Sequence, residues 1–240
     1  MSALSKNWKP SPSDFTKLTG LQRAFAAIPA SALLAASLAL LPVASQAQTP
    51  SPVASPGPVL IVGDSLSAEY GLQRGTGWVP LLVKQLALEK KTVKVVNASI
   101  SGDTTSGGRS RLAPLLATHK PSVVVIELGG NDALRGLPLD MTEKNITAIT
   151  QASKKAGAKV LIVGMQVPPN YGGAYGATFA GLFADVAKAE KVSLVPFFLK
   201  GIADVADSES RFQADRIHPN AAQQAAMLAN VWPELRKLLK

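Results

Sequence analysis

Hydrophobic positions in this chain fall into two alternating kinds of stretch. Five are short and rich in β-branched residues: 59–62 (VLIV), 93–96 (VKVV), 122–128 (SVVVIEL), 159–165 (KVLIVGM) and 192–195 (VSLV). Apolar runs of this length, bounded by Gly, Pro or polar residues, predict strands buried on both faces, as parallel sheets require. Between them lie longer stretches whose apolar residues recur every three or four positions. These are Val79, Leu82, Val83 and Leu86 within 79–89, Leu112, Leu115 and Leu116 within 104–118, and Ile146 and Ile149 within 142–156, with two further helices expected over 177–190 and 220–239. That spacing puts one apolar stripe on each helix, and Gly157 follows the third as a helix-ending glycine does. Five strands alternating with helices predict an α/β domain of three layers, α/β/α, around a five-stranded parallel sheet with right-handed crossovers.

The pattern changes before residue 59. Lys6, Lys9, Lys17 and Arg23 stand against Asp14 alone, an Ala/Leu-rich run follows over 24–43, and Ala44-Ser45-Gln46-Ala47 comes next. A basic region, an apolar region and small residues at the −3 and −1 positions make a secretory signal with cleavage after Ala47. The run of 20 residues is also long enough for an uncleaved membrane anchor, but two prolines and its many alanines favour cleavage. Residues 48–58 (QTPSPVASPGP) read as an extended Pro/Ser-rich linker, leaving 59–240 as one folded domain and a periplasmic or secreted location for it.

Loss of residues 1–47 removes four of 25 basic and one of 16 acidic residues, so the net charge falls from +9 to +6. This permits weak contact with an anionic membrane surface. Scattered basic residues and only 5% aromatic content argue against nucleic-acid binding. The chain has no cysteine, which excludes disulfides, thiolate metal sites and a thiol nucleophile. No metal or cofactor is expected, and no obligate protein partner.

Three polar segments follow the first three strands: Gly63-Asp64-Ser65, Ser101-Gly102-Asp103 and Gly130-Asn131-Asp132. In a parallel sheet all three leave the same, carboxyl edge, where ligands bind. A fourth polar cluster, Asp215-Arg216-Ile217-His218-Pro219, precedes the last helix. The chain has two histidines, and His119 is expected at the opposite edge. Ester hydrolysis needs a nucleophile, a base, a group that orients the base, and donors for the oxyanion. Ser65, His218 and Asp215 suit the first three roles. The backbone N–H groups of Ser65 and Gly102 and the Asn131 side-chain amide suit the fourth. Asp64, Asp103 and Asp132 read as turn, cap or loop acids, and Glu69 as a solvent-facing carboxylate.

Gly63-Asp64-Ser65-Leu66-Ser67, the glycine of Ile100-Ser101-Gly102-Asp103, Gly129-Gly130-Asn131-Asp132 and Asp215-Arg216-Ile217-His218-Pro219 resemble, in order, the four blocks of the GDSL or SGNH hydrolases. The wording around them is most similar to the periplasmic thioesterase I, lysophospholipase L1 and arylesterase subgroup. The resemblance implies a flavodoxin-like fold and the roles given above. It also implies an exported serine esterase acting on aryl esters, acyl-CoA thioesters or lysophospholipids through an acyl-enzyme. Leu134 and Leu137, in a loop that the subgroup uses to cover acyl chains, are candidate substrate contacts, together with Pro168. A carbohydrate O-deacetylase and a non-catalytic lipid- or glycan-binding module are the alternatives on the same scaffold.

Overall fold

The computed structural model describes residues 57–239; the signal sequence and most of the linker expected from the sequence lie outside the described residues. Five parallel strands, β1 (Val59–Gly63), β2 (Val95–Asn97), β3 (Val123–Glu127), β4 (Lys159–Val163) and β5 (Ser193–Val195), form one sheet in the order β2-β1-β3-β4-β5. This is the flavodoxin-like order, and it reverses direction between β1 and β3. Val59 pairs with Val95 on one side and Val123 on the other.

The reversal fixes the layers. The step from β1 to β2 runs one way along the sheet, and the later steps run the other way. Right-handed crossovers therefore put the first connecting helix on one face and the next ones on the opposite face. α1 (Trp78–Leu88) and the final α6 (Gln224–Leu238) cover one face. There Trp78, Leu82, Met227, Val231 and Leu235 pack on Val59, Ile61, Val123 and Val125. α2 (Thr105–His119), α4 (Leu139–Lys155) and α5 (Gly173–Glu190) cover the other. Leu112, Ile146, Ile149, Phe179 and Phe183 meet Leu60, Val62, Val124 and Ile126 there. Alternate side chains of β1 and β3 thus serve two cores, which is why these strands are apolar at every position up to Val62 and Ile126.

Several boundaries move for tertiary reasons. Residues 130–132, expected as a loop, begin the short helix α3 (Gly130–Leu134). α5 starts four residues before the expected Ala177, through Gly173 and Gly176. Its first turn is held by Tyr175, whose ring lies parallel to Phe179 with centroids 6.5 Å apart; packing overrides the poor helix propensity of glycine. Gly57 and Pro58 accept hydrogen bonds from the side chain and the backbone N–H of Ser122, respectively.

Candidate active site

β1 carries its chain straight to the carboxyl edge, and the turn after it presents Ser65. Gly63 is needed there for space: a Cβ would stand 2.8–2.9 Å from Glu127 Oε2, Ser67 Oγ and Ser99 Oγ. Asp64 then shapes the turn. Its Oδ1 accepts from Leu66 N–H at 3.0 Å, and its backbone carbonyl accepts from Ala68 at 2.9 Å. Asn97 at the end of β2 donates to Ser67 O at 2.7 Å, tying this turn to the neighbouring strand.

The loop after β2 turns between Ile100 and Asp103, whose N–H donates to Ile100 O at 3.0 Å. Gly102 takes φ +79° in that turn, the region where glycine carries no Cβ penalty. Its carbonyl accepts from Arg135 Nη2 at 2.7 Å. Asn131 stands in the first turn of α3, and its Nδ2 donates to Asp64 Oδ2 at 3.0 Å.

The fourth segment lies outside the sheet and is held by its own backbone. Gln213 N–H donates to His218 O at 2.8 Å, and Arg216 N–H to Gln213 O at 2.9 Å. Gln213 Nε2 reaches across to Tyr70 O at 3.0 Å. Asp215 Oδ1 accepts from the N–H groups of Ile217 and His218 at 2.9 and 3.0 Å. Its Oδ2 lies 2.7 Å from His218 Nδ1, and His218 Nε2 lies 2.8 Å from Ser65 Oγ. With Nδ1–H donated to the carboxylate, Nε2 is the acceptor for the serine hydroxyl. The Tyr70 ring packs on the imidazole with centroids 4.5 Å apart.

Burial pushes the Asp215 carboxyl up, but the N–H donors of His218 and Ile217 and the imidazole itself outweigh it and bring it down to about 2. Asp64 goes the other way: burial brings it up to about 6 despite the Leu66 N–H, His218 and the Asn131 amide.

A cavity of about 390 Å³ joins these segments, lined by Ser65, Gly102, Asn131 and His218 and, on its apolar side, by Leu66, Leu134, Met165 and Ile217. Asp215 stands behind His218. Leu137 and Pro168 lie off the cavity. Leu137 closes the turn after α3, its N–H donating to Asp132 O at 2.9 Å. Pro168 is exposed and caps a short 3₁₀ turn, Pro169–Tyr171. Met165, just past β4, fills the place proposed for it. Asp132 is buried beneath the site, accepting from Thr105 N–H and Oγ1 and from Thr142 Oγ1. Asp103 pairs with Arg111 at 2.7 Å.

Glu69 differs from expectation. It is half-buried, and its carboxylate accepts from Gly77 N–H at 2.7 Å and Gly75 N–H at 2.9 Å. Sequence reasoning also passed over Tyr70 and Met165. Their only sequence signal is position, one in the turn after Ser65 and one just beyond the end of a strand at the carboxyl edge.

Residues 61–226 match the family described as GDSL-like lipase/acylhydrolase. The chain is 48% identical over 207 residues to esterase TesA of Pseudomonas aeruginosa, covering 86% of this chain and 98% of that protein. It is 42% identical over 166 residues to thioesterase 1/protease 1/lysophospholipase L1 of Escherichia coli, covering 69% of this chain and 77% of that protein. The crystal structure of TesA superposes with a TM-score of 0.72 at 51% identity, covering 75% of this chain and 98% of that one.

Proposed function

The chain belongs to the GDSL-like lipase/acylhydrolase family, and from that premise we propose that it hydrolyses carboxylic esters and thioesters through an acyl-enzyme on Ser65. The observation that carries this reading is the unbroken hydrogen-bond line from Asp215 through His218 to Ser65, at 2.7 and 2.8 Å. Ser65 Oγ attacks the acyl carbonyl while His218 Nε2 takes its proton. Asp215 holds the ring in the tautomer that can accept and stabilises the imidazolium that forms. The new oxyanion receives the N–H groups of Ser65 and Gly102 and an Nδ2–H of Asn131. As the tetrahedral adduct collapses, His218 returns the proton to the leaving alcohol or thiol. Water then repeats the sequence on the acyl-enzyme.

Leu66, Leu134, Met165 and Ile217 suit an acyl chain of modest size, so aryl esters, acyl-CoAs and lysophospholipids are the proposed substrates. Exposed Tyr70, Leu134 and Ile217 at the mouth, with the net positive charge, suit weak contact with an anionic membrane surface. Ser65→Ala is expected to abolish p-nitrophenyl ester hydrolysis with an unchanged circular dichroism spectrum, and full retained activity overturns the assignment. Kinetics on aryl esters, acyl-CoAs, lysophospholipids and acetylated polysaccharide rank the substrates. Export rests on residues 1–47, and N-terminal sequencing of exported protein is expected to begin at Gln48. An intact Met1 in a membrane fraction means an anchor instead. Among the described residues no helix is long and apolar enough to cross a membrane.

A further inference from the structure

Beneath Ser65 lie two buried carboxyl groups that this reaction does not use. Asp64 is 3% exposed and Glu127 is 1% exposed. They are brought together because Glu127, the last residue of β3, pairs in register with Gly63. Glu127 Oε2 accepts from Ser67 Oγ at 2.7 Å, and Ser67 Oγ in turn accepts from Trp78 Nε1 at 3.1 Å. Glu127 Oε1 has no partner among the described residues. Both oxygens of Asp64 are engaged, one by the Leu66 N–H and one by the Asn131 amide.

An amide can sit in two orientations that differ by exchange of oxygen and nitrogen. Against a carboxylate, only the one with nitrogen toward Asp64 is favourable, since the other sets a carbonyl oxygen against an anion. With one Nδ2–H committed to Asp64, the second is left for the cavity. A protonated Asp64 can donate to the amide oxygen instead, and the flipped amide takes both N–H groups away from that position.

We propose that Asp64 is a positioning residue for the reaction, whose carboxylate holds the Asn131 amide in the orientation that presents an N–H to the oxyanion. The proposal rests on the reading of Asn131 as an oxyanion donor. Burial, and then the charge of Asp64, keep Glu127 well above the usual carboxylate range, and Asp64 is the member of the pair that meets the Asn131 amide. Asp64 itself is brought up to about 6, by burial first. The other titratable or charged groups around it are His218 from the loop before α6, Asp103 after β2, and Arg111 of α2, which pairs with Asp103 and donates to Gly63 O.

The test is a double-mutant cycle of Asp64→Asn and Asn131→Ala on a p-nitrophenyl ester, with pH profiles. Asn131→Ala is expected to lower kcat by about 100- to 1000-fold. Asp64→Asn should lower it by about tenfold or more with KM nearly unchanged, because an Asn at 64 no longer discriminates between the two amide orientations. The double variant should be no slower than Asn131→Ala alone. The acid limb of the wild-type profile should lose one proton's worth of steepness in Asp64→Asn. Multiplicative losses in the double variant, with Asn131→Ala slow, overturn this inference and leave the donor reading intact. A wild-type rate in Asn131→Ala overturns both. If Asp64→Asn does not fold, the Asn131 side-chain amide resonances of ¹⁵N-labelled Ser65→Ala protein decide: they should titrate near pH 6, and a pH-invariant amide overturns the proposal.

Discussion

The two loops that meet at Ser65 hold their carboxylates in opposite ways. Asp64 continues a strand whose apolar residues are fully buried, and desolvation outweighs its two donors and brings it up to about 6. Asp215 stands outside the sheet with a third of its side chain exposed, and the N–H groups of Ile217 and His218 together with the imidazole bring it down to about 2. The same functional group moves in opposite directions because depth of burial competes with the number of donors. The difference divides the labour. Asp215, brought down to about 2, stays charged at neutral pH, as the proposed role of orienting His218 requires, whereas Asp64, brought up to about 6, titrates within reach of neutral pH.

The comparison breaks most visibly at Asp215. Asp215→Asn keeps the shape of the side chain but removes the charge and favours the wrong imidazole tautomer. A loss of about 10⁴-fold in kcat is expected, as for the equivalent change in a serine-protease triad. The Asn oxygen retains the Ile217 and His218 N–H groups and the residue is on the surface, so the thermal midpoint should fall only slightly, by the part of the stability that the charge supplied above about pH 4. Steady-state kinetics and a melting curve check both halves, and a variant within tenfold of wild type removes Asp215 from the mechanism.

Stability against pH sharpens the contrast, since the two residues have opposite signs. Asp64 titrates above its unfolded value of 3.8, so the folded state favours its protonated form. Its contribution is largest below about pH 4 and is lost as pH rises through about 6, and a rise from 3.8 to about 6 is worth about 3 kcal/mol. Asp215 titrates below 3.8. Its contribution is present above about pH 4 and lost as pH falls toward 2. Urea unfolding of wild type and Asp64→Asn, compared at roughly pH 4 and roughly pH 7, should therefore diverge in the variant's favour at the higher pH. A difference that stays constant with pH means that Asp64 is ordinary in its titration.

The contrast also explains what could be read from the residues alone. The fold was legible because β1 and β3 are apolar on both faces, and only a sheet covered by helices on both sides accommodates that. The gathering of Ser65, Gly102 and Asn131 followed from topology, since strands that run parallel release their loops at one edge, whereas His218 could be assigned only from the chemistry, because its segment lies outside the sheet. What was not legible depends on side-chain reach rather than on order along the chain. Nothing in the sequence says that Tyr70 packs on His218 or that Met165, rather than Pro168, lines the cavity. The start of α5 was hidden by Gly173 and Gly176, whose propensities argue against the helix that Tyr175 and Phe179 stabilise.

Glu69 was misread for the same reason, and it offers the smallest and most discriminating change. It adopts φ +61°, a left-handed conformation that costs a residue with a Cβ about 1–2 kcal/mol. Its carboxylate offsets that cost by accepting from Gly75 and from Gly77, the residue that caps α1. Both of the shorter bonds fall on one oxygen, Oε1, while Oε2 makes only a longer contact of 3.1 Å to Gly75. Glutamine at this position retains an oxygen for the clamp and gives up only the charge. Glu69→Gln should therefore shift unfolding stability by less than about 1 kcal/mol. It should also leave the ratio of KM for an acyl-CoA to KM for a neutral aryl ester unchanged, because Glu69 does not line the cavity. A selective fall in KM for the anionic acyl-CoA gives the opposite result: the carboxylate then acts on the substrate through its charge, and the loop after β1 is held by other contacts.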